Sequence, residues 1–373
     1  DRKRKELKVL YEKANSEENT QRIKKVSGEL DELLVREELM WKQRSRATWI
    51  KEGDQNTRYL HKKSTWRQKK NQIRKLKNEE GTWIEKKTEL NAMATDFFKK
   101  LYTKDEEVVP FELIELLPRS IQDDMNIKLT EKNSEKEVSD ALFQIGPLKA
   151  LGQDGFPARF FQRNWSTIKK DVIEAVLKFF EDGIMPEGIN DTVIVLIPKG
   201  RNPQSLKDFR PISLCNVIYK VISKCLVNRL RPYLDELISE TQSAFIPGRL
   251  ITDNAIIAFE CFHKIQHSKN PHNTHCAYKL DLAKAYDRVD WNYLRGALEK
   301  IGFSPVWINW VMKCVTSVRF SVRMNGEVLE PFTPSKGLRQ GDPLSPYLFL
   351  CVADGLANIF KKAVLGGSIT PVE

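Results

Sequence analysis

The chain has 373 residues, of which 41% are hydrophobic and 30% are charged, and its formal net charge is +11. At this length we expect two or three domains, with enough apolar residues for a sizeable core beneath a highly charged surface. The 6 cysteines include no C-x-x-C pair, which argues against a zinc knuckle or a disulfide framework. No run approaches the ~18 apolar residues of a membrane span. Because the sequence begins with Asp1 rather than Met, we expect it to be a piece of a longer protein.

The positive charge is unevenly placed along the chain. The whole excess of +11 lies within residues 1–104, and the remainder of the chain is balanced. A concentrated positive charge predicts a polyanionic partner for this region. A solvated, highly charged helix is the alternative that the charge count leaves open.

The first third of the chain has a helical pattern. Residues 1–46 carry apolar positions at three- and four-residue spacing, and the polar stretch Ser16–Thr20 predicts a turn between two helices. The acidic stretch 103–135 is expected to be irregular and to mark a boundary. Between these two segments the pattern predicts three elements: a basic helix capped by Asp54 and ending near Lys70, a small hairpin over Ile73–Ile84 and a helix over Glu89–Tyr102.

From Ser134 onward the pattern is that of a mixed α/β (α+β) protein. The turn-rich segment Gly152–Pro157 separates two helical regions, and Asn325-Gly326 is a strong signal for a hairpin turn. The expected elements are a helix to Ile145, helices to about Phe180, a buried strand over Thr192–Pro198, helices near 217–238 and 252–267 (the latter capped by Thr252 or Asp253), and strands over Arg319–Met324 and Glu327–Phe332.

Asp281 is the first candidate for chemistry. The segment Tyr278–Val289 predicts a short apolar strand that delivers Asp281 and then turns into a helix. A carboxylate at the end of a strand, beside the backbone carbonyl of Leu282, offers the hard oxygen ligands that suit Mg²⁺. The backbone from Ala283 to Tyr286 would then present N–H groups to a triphosphate. The alternative is a helix-capping Asp281 with Lys284 and Asp287 as surface charges.

Two further segments could hold a nucleotide. In the loop Gly337–Pro346, two glycines flank Arg339 and Gln340, which would allow the backbone to approach a ligand closely. An ordinary polar loop before a buried helix is the alternative. Lys199 and Arg210 stand on opposite arms of a predicted strand–loop–strand, where they would clamp phosphate oxygens, or else form a basic surface hairpin.

Six motifs occur in the order and at the approximate spacing of one known family. They are Trp49–Thr57 with His61, Gly152–Pro157, Phe209–Leu214, Gln242–Arg249, Tyr278–Val289 and the Gly337 loop. Together they resemble the reverse transcriptase of plant LINE-type (non-LTR) retrotransposons over about residues 40–373. The resemblance implies a right-hand polymerase fold with fingers and palm, and RNA-templated DNA synthesis primed by a nicked target.

The resemblance also implies roles for individual residues. Asp281 would be the catalytic residue and the first ligand, with Leu282, of two Mg²⁺ ions in the complete enzyme. Template RNA, a DNA primer or target and dNTPs would be the partners, with no membrane, in a nuclear or cytoplasmic intracellular ribonucleoprotein. The nucleotide would be bound by Lys199, Arg210, Ala283, Ala285, Tyr286 (the sugar gate), Gln340 and Gly341, and the template by Arg46, Arg58, His61, Lys62 and Arg67.

The resemblance predicts three domains, and it shows where this sequence differs from the family in its catalytic residues. We expect a basic, mainly helical extension over 1–104, a connecting helical region over 105–190, and incomplete fingers and palm over 191–373. The family's second catalytic block, an Ala-Asp-Asp hairpin, is missing, and Asp354 is interpreted as a helical residue that only imitates it. We therefore expect the fragment to be inactive although its parent is a polymerase. A non-catalytic nucleic-acid-binding remnant or a repurposed domain is the alternative.

Overall fold

The structure, a computed structural model, describes residues 2–12, 16–45, 71–104, 111–267 and 275–370, together with Lys62, Thr65, Trp66 and Lys69. It divides into two compact units, Asp1–Ile73 and Arg74–Glu373. The helix expected from Asp54 to Lys70 lies outside the described residues apart from those four positions. Within the described part of the chain, no helix is long and apolar enough to cross a membrane.

The first unit contains the expected helical hairpin. Helix α1 (Arg2–Tyr11) and helix α2 (Glu17–Ser45) follow one another, and Leu10 and Val26 are buried. The turn comes before the predicted Ser16–Thr20, because Ser16 already caps α2: its hydroxyl accepts a hydrogen bond from the Asn19 backbone N–H at 3.1 Å.

The second unit is built around a four-stranded sheet. A separate small hairpin of β1 (Leu76–Lys77) and β2 (Trp83–Ile84) precedes it, as predicted. The sheet has the order β4-β3-β5-β6, with β3 antiparallel to β4 and parallel to β5. Its strands are β3 (Asp191–Pro198), β4 (Phe209–Cys215), β5 (Arg319–Met324) and β6 (Glu327–Val328).

Helices supply most of the core of this unit. They are α3 (Lys87–Tyr102), α4 (Asp123–Thr130), α5 (Glu135–Gln144), α6 (Ala158–Arg163), α7 (Trp165–Asp182), α8 (Val217–Leu230), α9 (Leu234–Leu237), α10 (Ile251–His267), α11 (Trp291–Ile301), α12 (Pro305–Thr316) and α13 (Ser345–Leu365). Phe179, Leu226 and Trp307 are among the fully buried side chains that join α7, α8 and α12 in one core. The mixed helix-and-sheet class expected from the sequence is confirmed.

Several predicted elements need correction. Helix α4 occupies part of the stretch 103–135 that was expected to be irregular. Helix α10 begins at Ile251, so neither Thr252 nor Asp253 precedes it as a cap. No residue of α10 is buried, although its sequence carries a helical apolar pattern.

The strand expected at Tyr278–Leu282 does not form. These residues are irregular and exposed in the structure. A strand needs a neighbour to satisfy its backbone N–H and C=O groups, and none of the described strands offers one. The outer edge of β4 is occupied elsewhere, since the Ser213 backbone N–H donates to the Gln340 carbonyl at 2.8 Å.

Candidate functional site

The Gly337–Pro346 loop is anchored by a buried ion pair. Arg339 is 4% exposed and lies 2.8 Å from the Asp342 carboxylate, while its guanidinium stacks 4.0 Å from the centre of the Tyr219 ring. The Tyr219 hydroxyl donates to Asp342 at 2.6 Å, and Arg339 also donates to the Cys314 carbonyl at 2.9 Å. Arg339 therefore faces the core and holds the loop in place. The next residue, Gln340, is only half-buried.

The two glycines of this loop allow the loop backbone to approach other atoms of the protein closely. Gly337 has φ +95°, and a Cβ atom there would lie 2.7 Å from the Asp287 carbonyl and 2.8 Å from the Tyr102 ring. Gly341 has φ +108°, and a Cβ atom would lie 3.1 Å from the Ser213 carbonyl. Because only glycine readily accepts this backbone conformation in so little space, both positions are fixed by packing.

The loop is joined to the segment that follows Asp281. The Gly337 N–H donates to the Val289 carbonyl at 2.7 Å, and the Leu338 N–H donates to the Tyr286 carbonyl at 2.7 Å. The Trp291 indole N–H donates to the Gly337 carbonyl at 2.8 Å. Together with the bond between Ser213 and Gln340, these contacts bring three motifs that are distant in sequence into one place.

Asp287 lies at the centre of this junction and is fully buried. Its Oδ1 accepts hydrogen bonds from the Tyr102 hydroxyl at 2.8 Å and from the Gln340 amide at 3.4 Å. Its Oδ2 is buried without a partner among the described residues. Burial raises the pKa of the Asp287 carboxyl, while the bond from Tyr102 acts in the opposite direction. The interpretation of Asp287 as a surface charge is therefore wrong.

The alternative interpretation of Lys284 as a surface charge is also wrong, because Lys284 is half-buried beside Asp287. It has a left-handed backbone with φ 54°, and its Nζ lies 4.1 Å from the centre of the Phe97 ring. Burial is the largest cause that lowers its pKa to about 8, and the positive charges of Lys199, Arg288 and Lys207 lower it further. Three cationic groups thus act on Lys284 beside the buried carboxyl of Asp287, an arrangement that an anionic ligand would stabilise.

Lys199 and Arg210 lie on the two arms of the β3–β4 hairpin, as the sequence predicts. Arg210 pairs with Ile197 in the antiparallel register, and the Lys199 N–H extends the ladder by donating to the Asp208 carbonyl at 2.8 Å. The two-residue period of a strand places Lys199 on the face of Ile197 and Arg210. Both side chains are exposed, and their role in binding phosphate remains a prediction.

The residues around Asp281 are not gathered into this junction. Asp281, Leu282 and Ala283 are exposed, and Ala285 lies in the turn that enters the short helical segment Tyr286–Arg288. Within the described residues, no group of three His, Cys, Asp or Glu side chains is placed to hold a metal ion. Asp281 and the Leu282 carbonyl by themselves therefore do not fit a two-Mg²⁺ site.

Tyr286 packs against helix α13. Its ring stacks on Phe349 with centroids 4.6 Å apart and an angle of 14° between the ring planes, and burial raises the pKa of its hydroxyl. One face of the expected sugar gate is therefore covered by protein. Its contact with a ribose stays a prediction.

Asp354 behaves as expected for a packing residue. It lies inside α13 and is buried, and its carboxylate accepts hydrogen bonds from the Ser239 N–H at 3.0 Å and from the Asn358 amide at 2.9 Å. It fixes the chain after α9 to α13, which is a structural task.

Of the expected template-binding residues, only Lys62 is described, and it is exposed. Arg46, Arg58, His61 and Arg67 lie outside the described residues. Sequence reasoning missed Tyr102, Lys207, Lys284 and Asp287 as members of the site. Lys284 and Asp287 stood within a quoted motif, whereas the partnership of Tyr102 with Asp287, 185 residues apart, leaves no sequence pattern.

Comparison with known proteins finds similarity chiefly in the second half of the chain. Residues 197–370 match the family described as reverse transcriptase (RNA-dependent DNA polymerase). The chain is 31% identical over 230 residues to an uncharacterised 149 kDa protein of transposon TX1 from Xenopus laevis, covering 62% of this chain and 17% of that protein. It is 29% identical over 191 residues to the retrovirus-related Pol polyprotein of the type-2 retrotransposable element R2DM from Drosophila melanogaster, covering 50% of this chain and 18% of that protein.

A solved structure, a partial Cas6-RT-Cas1–Cas2 complex, aligns with a TM-score of 0.36 and 16% identity over 65% of this chain and 35% of that chain. The chain spans less than a fifth of the length of the TX1 and R2DM proteins. The matched region contains four of the six motifs that carried the expected resemblance: Phe209–Leu214 in β4, Gln242–Arg249, the Asp281 segment and the Gly337 loop. Residues 197–370 thus match reverse transcriptases, and the chain is similar in sequence to proteins of transposon TX1 and of the retrotransposable element R2DM.

Proposed function

We propose that the parent protein is an RNA-directed DNA polymerase of a plant LINE-type retrotransposon, and that this chain supplies its fingers and part of its palm. The observation that carries the proposal is the junction of β4, the segment Tyr286–Val289 and the Gly337 loop. It lies within the region that matches reverse transcriptases. The motifs Trp49–Thr57 and Gly152–Pro157 support the plant LINE type.

The cations around this junction are suited to a nucleoside triphosphate. Lys199 and Lys207 act electrostatically on Lys284, and Arg210 lies on the same face of the hairpin as Lys199. Lysine offers a compact point charge, while the planar fork of arginine can bind two phosphate oxygens at once. Bringing these groups together is unfavourable without an anion, so a triphosphate would gain affinity from relieving their repulsion.

Nucleotidyl transfer needs more than this set of residues provides. Such chemistry uses two Mg²⁺ ions held about 3.5–4 Å apart by bridging carboxylates, and the described residues do not complete that set. We therefore propose that this chain binds nucleotide and nucleic acid but does not extend primers. A non-catalytic nucleic-acid-binding remnant is the second candidate, favoured by the same incomplete carboxylate set among the described residues. The complete protein would act within an intracellular ribonucleoprotein.

The deciding experiment is primer extension on an RNA template with Mg²⁺ and all four dNTPs. This chain is compared with one continued to the natural end of its reading frame, and fluorescent dATP binding is measured for both. We expect dATP to bind to both chains and extension by the longer chain alone, abolished there by Asp281→Ala.

Two outcomes would contradict the proposal. Extension by this chain, lost in Asp281→Ala, would show that its carboxylates suffice. Binding of dATP without extension by either chain would favour the non-catalytic remnant.

A further inference from the structure

A second cationic feature lies outside the nucleotide-binding junction. A cleft of about 700 Å³ opens between the loop after α5 and helix α6. Its charged lining consists of Lys149, Arg159 and Arg163, and Pro147 and Leu148 form an apolar side. None of the described acidic side chains lines the cleft. Among the described residues it therefore presents three positive charges with no compensating group in its own wall.

The walls of the cleft are held without using these charges. The Gln162 amide donates to the carbonyl of Leu142 at 3.0 Å and to that of Ile145 at 2.8 Å. The Arg159 backbone N–H donates to the Pro147 carbonyl at 3.1 Å. Loop and helix are thus joined through an uncharged amide and the backbone.

The three cationic side chains are free to bind a ligand. Arg159 and Arg163 lie one helical turn apart, so their side chains project from the same face of α6. Among the described residues no ion pair engages Lys149, Arg159 or Arg163. Their charges are therefore available to an anion in the cleft.

Two aromatic rings flank Arg159 in the sequence. Phe156 is 46% exposed and Phe160 is 39% exposed, and their ring centroids are 4.7 Å apart. Leu148, which lines the cleft, is 54% exposed. The two rings do not line the cleft but stand close to Arg159 in the sequence, and exposed rings near positive charges provide a stacking surface on which single-stranded nucleic acids place their bases.

We propose that this cleft binds single-stranded nucleic acid, with phosphates on Lys149, Arg159 and Arg163 and a base stacked on the Phe156–Phe160 pair. The assignment rests on the proposed function for the class of partner, since that function makes nucleic acid the polyanion this protein meets. A single strand fits better than a duplex because only an unpaired base exposes its face to a protein ring.

The test measures binding of a labelled oligouridylate of about 12 nucleotides to the full chain by fluorescence anisotropy, within the range of site sizes for such grooves. The titration is repeated between about 50 and 200 mM salt, with neither dNTP nor Mg²⁺ present. For Arg159→Gln/Arg163→Gln we expect the slope of log affinity against log salt to become shallower by about 1.4, because each single-strand phosphate contact contributes about 0.7. For Phe156→Leu/Phe160→Leu we expect about a tenfold loss of affinity with an unchanged slope, because stacking releases no counterions.

The matched control is Lys170→Gln/Lys178→Gln on α7, which removes the same charge from two exposed positions that do not line the cleft. Circular dichroism checks that each variant is folded. A slope change in Arg159→Gln/Arg163→Gln no larger than in the control would overturn the proposal. Equal binding of a duplex, unaffected by the Phe variants, would overturn the single-strand assignment, and equal binding of poly-glutamate would point to an acidic protein instead.

Because the RNA titration contains neither dNTP nor Mg²⁺, it tests the cleft independently of the proposed polymerase function. If dATP binding fails while the cleft variants still change RNA binding as expected, the proposed nucleotide site is wrong and the cleft stands. If dATP binds and the cleft variants behave as the control, the cleft assignment alone is wrong.

Discussion

Asp287 shows how one buried carboxyl organises the surroundings of the candidate site. It accepts from Tyr102 of α3 and from Gln340 of the Gly337 loop. A buried charge with one oxygen unpartnered is costly, so these two bonds stabilise the junction by compensating part of that cost. The consequence is that α3 and the loop are positioned by the same group.

Removing the Tyr102 hydroxyl tests how much its hydrogen bond to Asp287 contributes to stability. We expect Tyr102→Phe to lower the free energy of unfolding by about 1–3 kcal/mol, the cost of leaving a charged acceptor poorly satisfied in the interior. In an Asp287→Asn background the same change should cost less, about 0.5–1.5 kcal/mol, because the acceptor is then neutral. Chemical denaturation of the four chains of this double-mutant cycle measures the difference. Equal costs in the two backgrounds would mean that the carboxyl at residue 287 is not charged in the folded state.

Lys284 gives a prediction on pH. Its pKa is lowered to about 8, so it loses its proton as the pH rises through that value, and triphosphate binding should weaken over the same range. Lys284→Arg should remove this loss, because arginine stays protonated. Titration of fluorescent dATP between about pH 7 and 9 compares the two chains around the lowered pKa. Identical pH profiles would rule out Lys284 as a phosphate contact.

The free energy of unfolding should depend on pH through Lys284 in the opposite direction to the ligand affinity. The folded state binds fewer protons at Lys284 than the unfolded state does between about 8 and the ordinary value of 10.5. The contribution of Lys284 to the free energy of unfolding therefore rises with pH across that window. Loss of ligand affinity as the pH rises is thus distinguishable from loss of the fold.

At the level of elements, helix α10 and the segment after it differ from the rest of the second unit. Ile256, Phe259 and Phe262 of α10 are between 50% and 73% exposed, and Tyr278–Leu282 forms no strand. Each of the other described helices of this unit that is longer than one turn buries at least one apolar residue. The sequence of α10 thus forms the helix that its apolar spacing predicts, but the apolar side chains are not buried.

Substitutions in α10 should accordingly be tolerated. We expect Phe259→Gln/Phe262→Gln to change the free energy of unfolding by no more than about 0.5 kcal/mol, because these side chains already face water. The control Phe179→Ala, at a fully buried position of α7, should cost about 3–5 kcal/mol. Thermal and urea unfolding distinguish the two. A cost above about 2 kcal/mol in α10, a size typical of buried positions, would show that the helix packs against other parts of the chain.

The whole molecule combines a basic first unit with a second unit that holds the candidate sites. The excess of +11 lies in residues 1–104, but the two compact units divide after Ile73. Helix α3 belongs to the second unit, where Leu90, Ala94, Phe98 and Tyr102 are buried. The domain limits at 104 and 190 remain predictions, and a deletion that spares the core must end before α3.

Salt dependence tests the role of the first unit. RNA binding by the full chain should fall steeply with salt, because Lys and Arg contacts to phosphates release counterions. Deleting residues 1–73 should remove most of the slope, while the cleft between α5 and α6 accounts for the remainder. The measurement is anisotropy at several salt concentrations on both chains. An unchanged slope after deletion would place the template grip in the second unit.

The sequence by itself determined the local elements and the resemblance to reverse transcriptases. The β-branched run of β3, the Asn325-Gly326 turn and the apolar spacing of α3 and α7 are written in neighbouring residues, and so are the reverse transcriptase motifs. Only the tertiary structure decided which charges are buried. Charged residues such as Arg339 and Asp287 usually lie at the surface, but here both are buried with hydrogen-bonding or ion-pair partners, and the partner of Asp287 is 185 residues away. The tertiary structure also decided that Tyr278–Leu282 stays irregular, because a strand forms only where another strand pairs with it, and pairing is a property of distant residues.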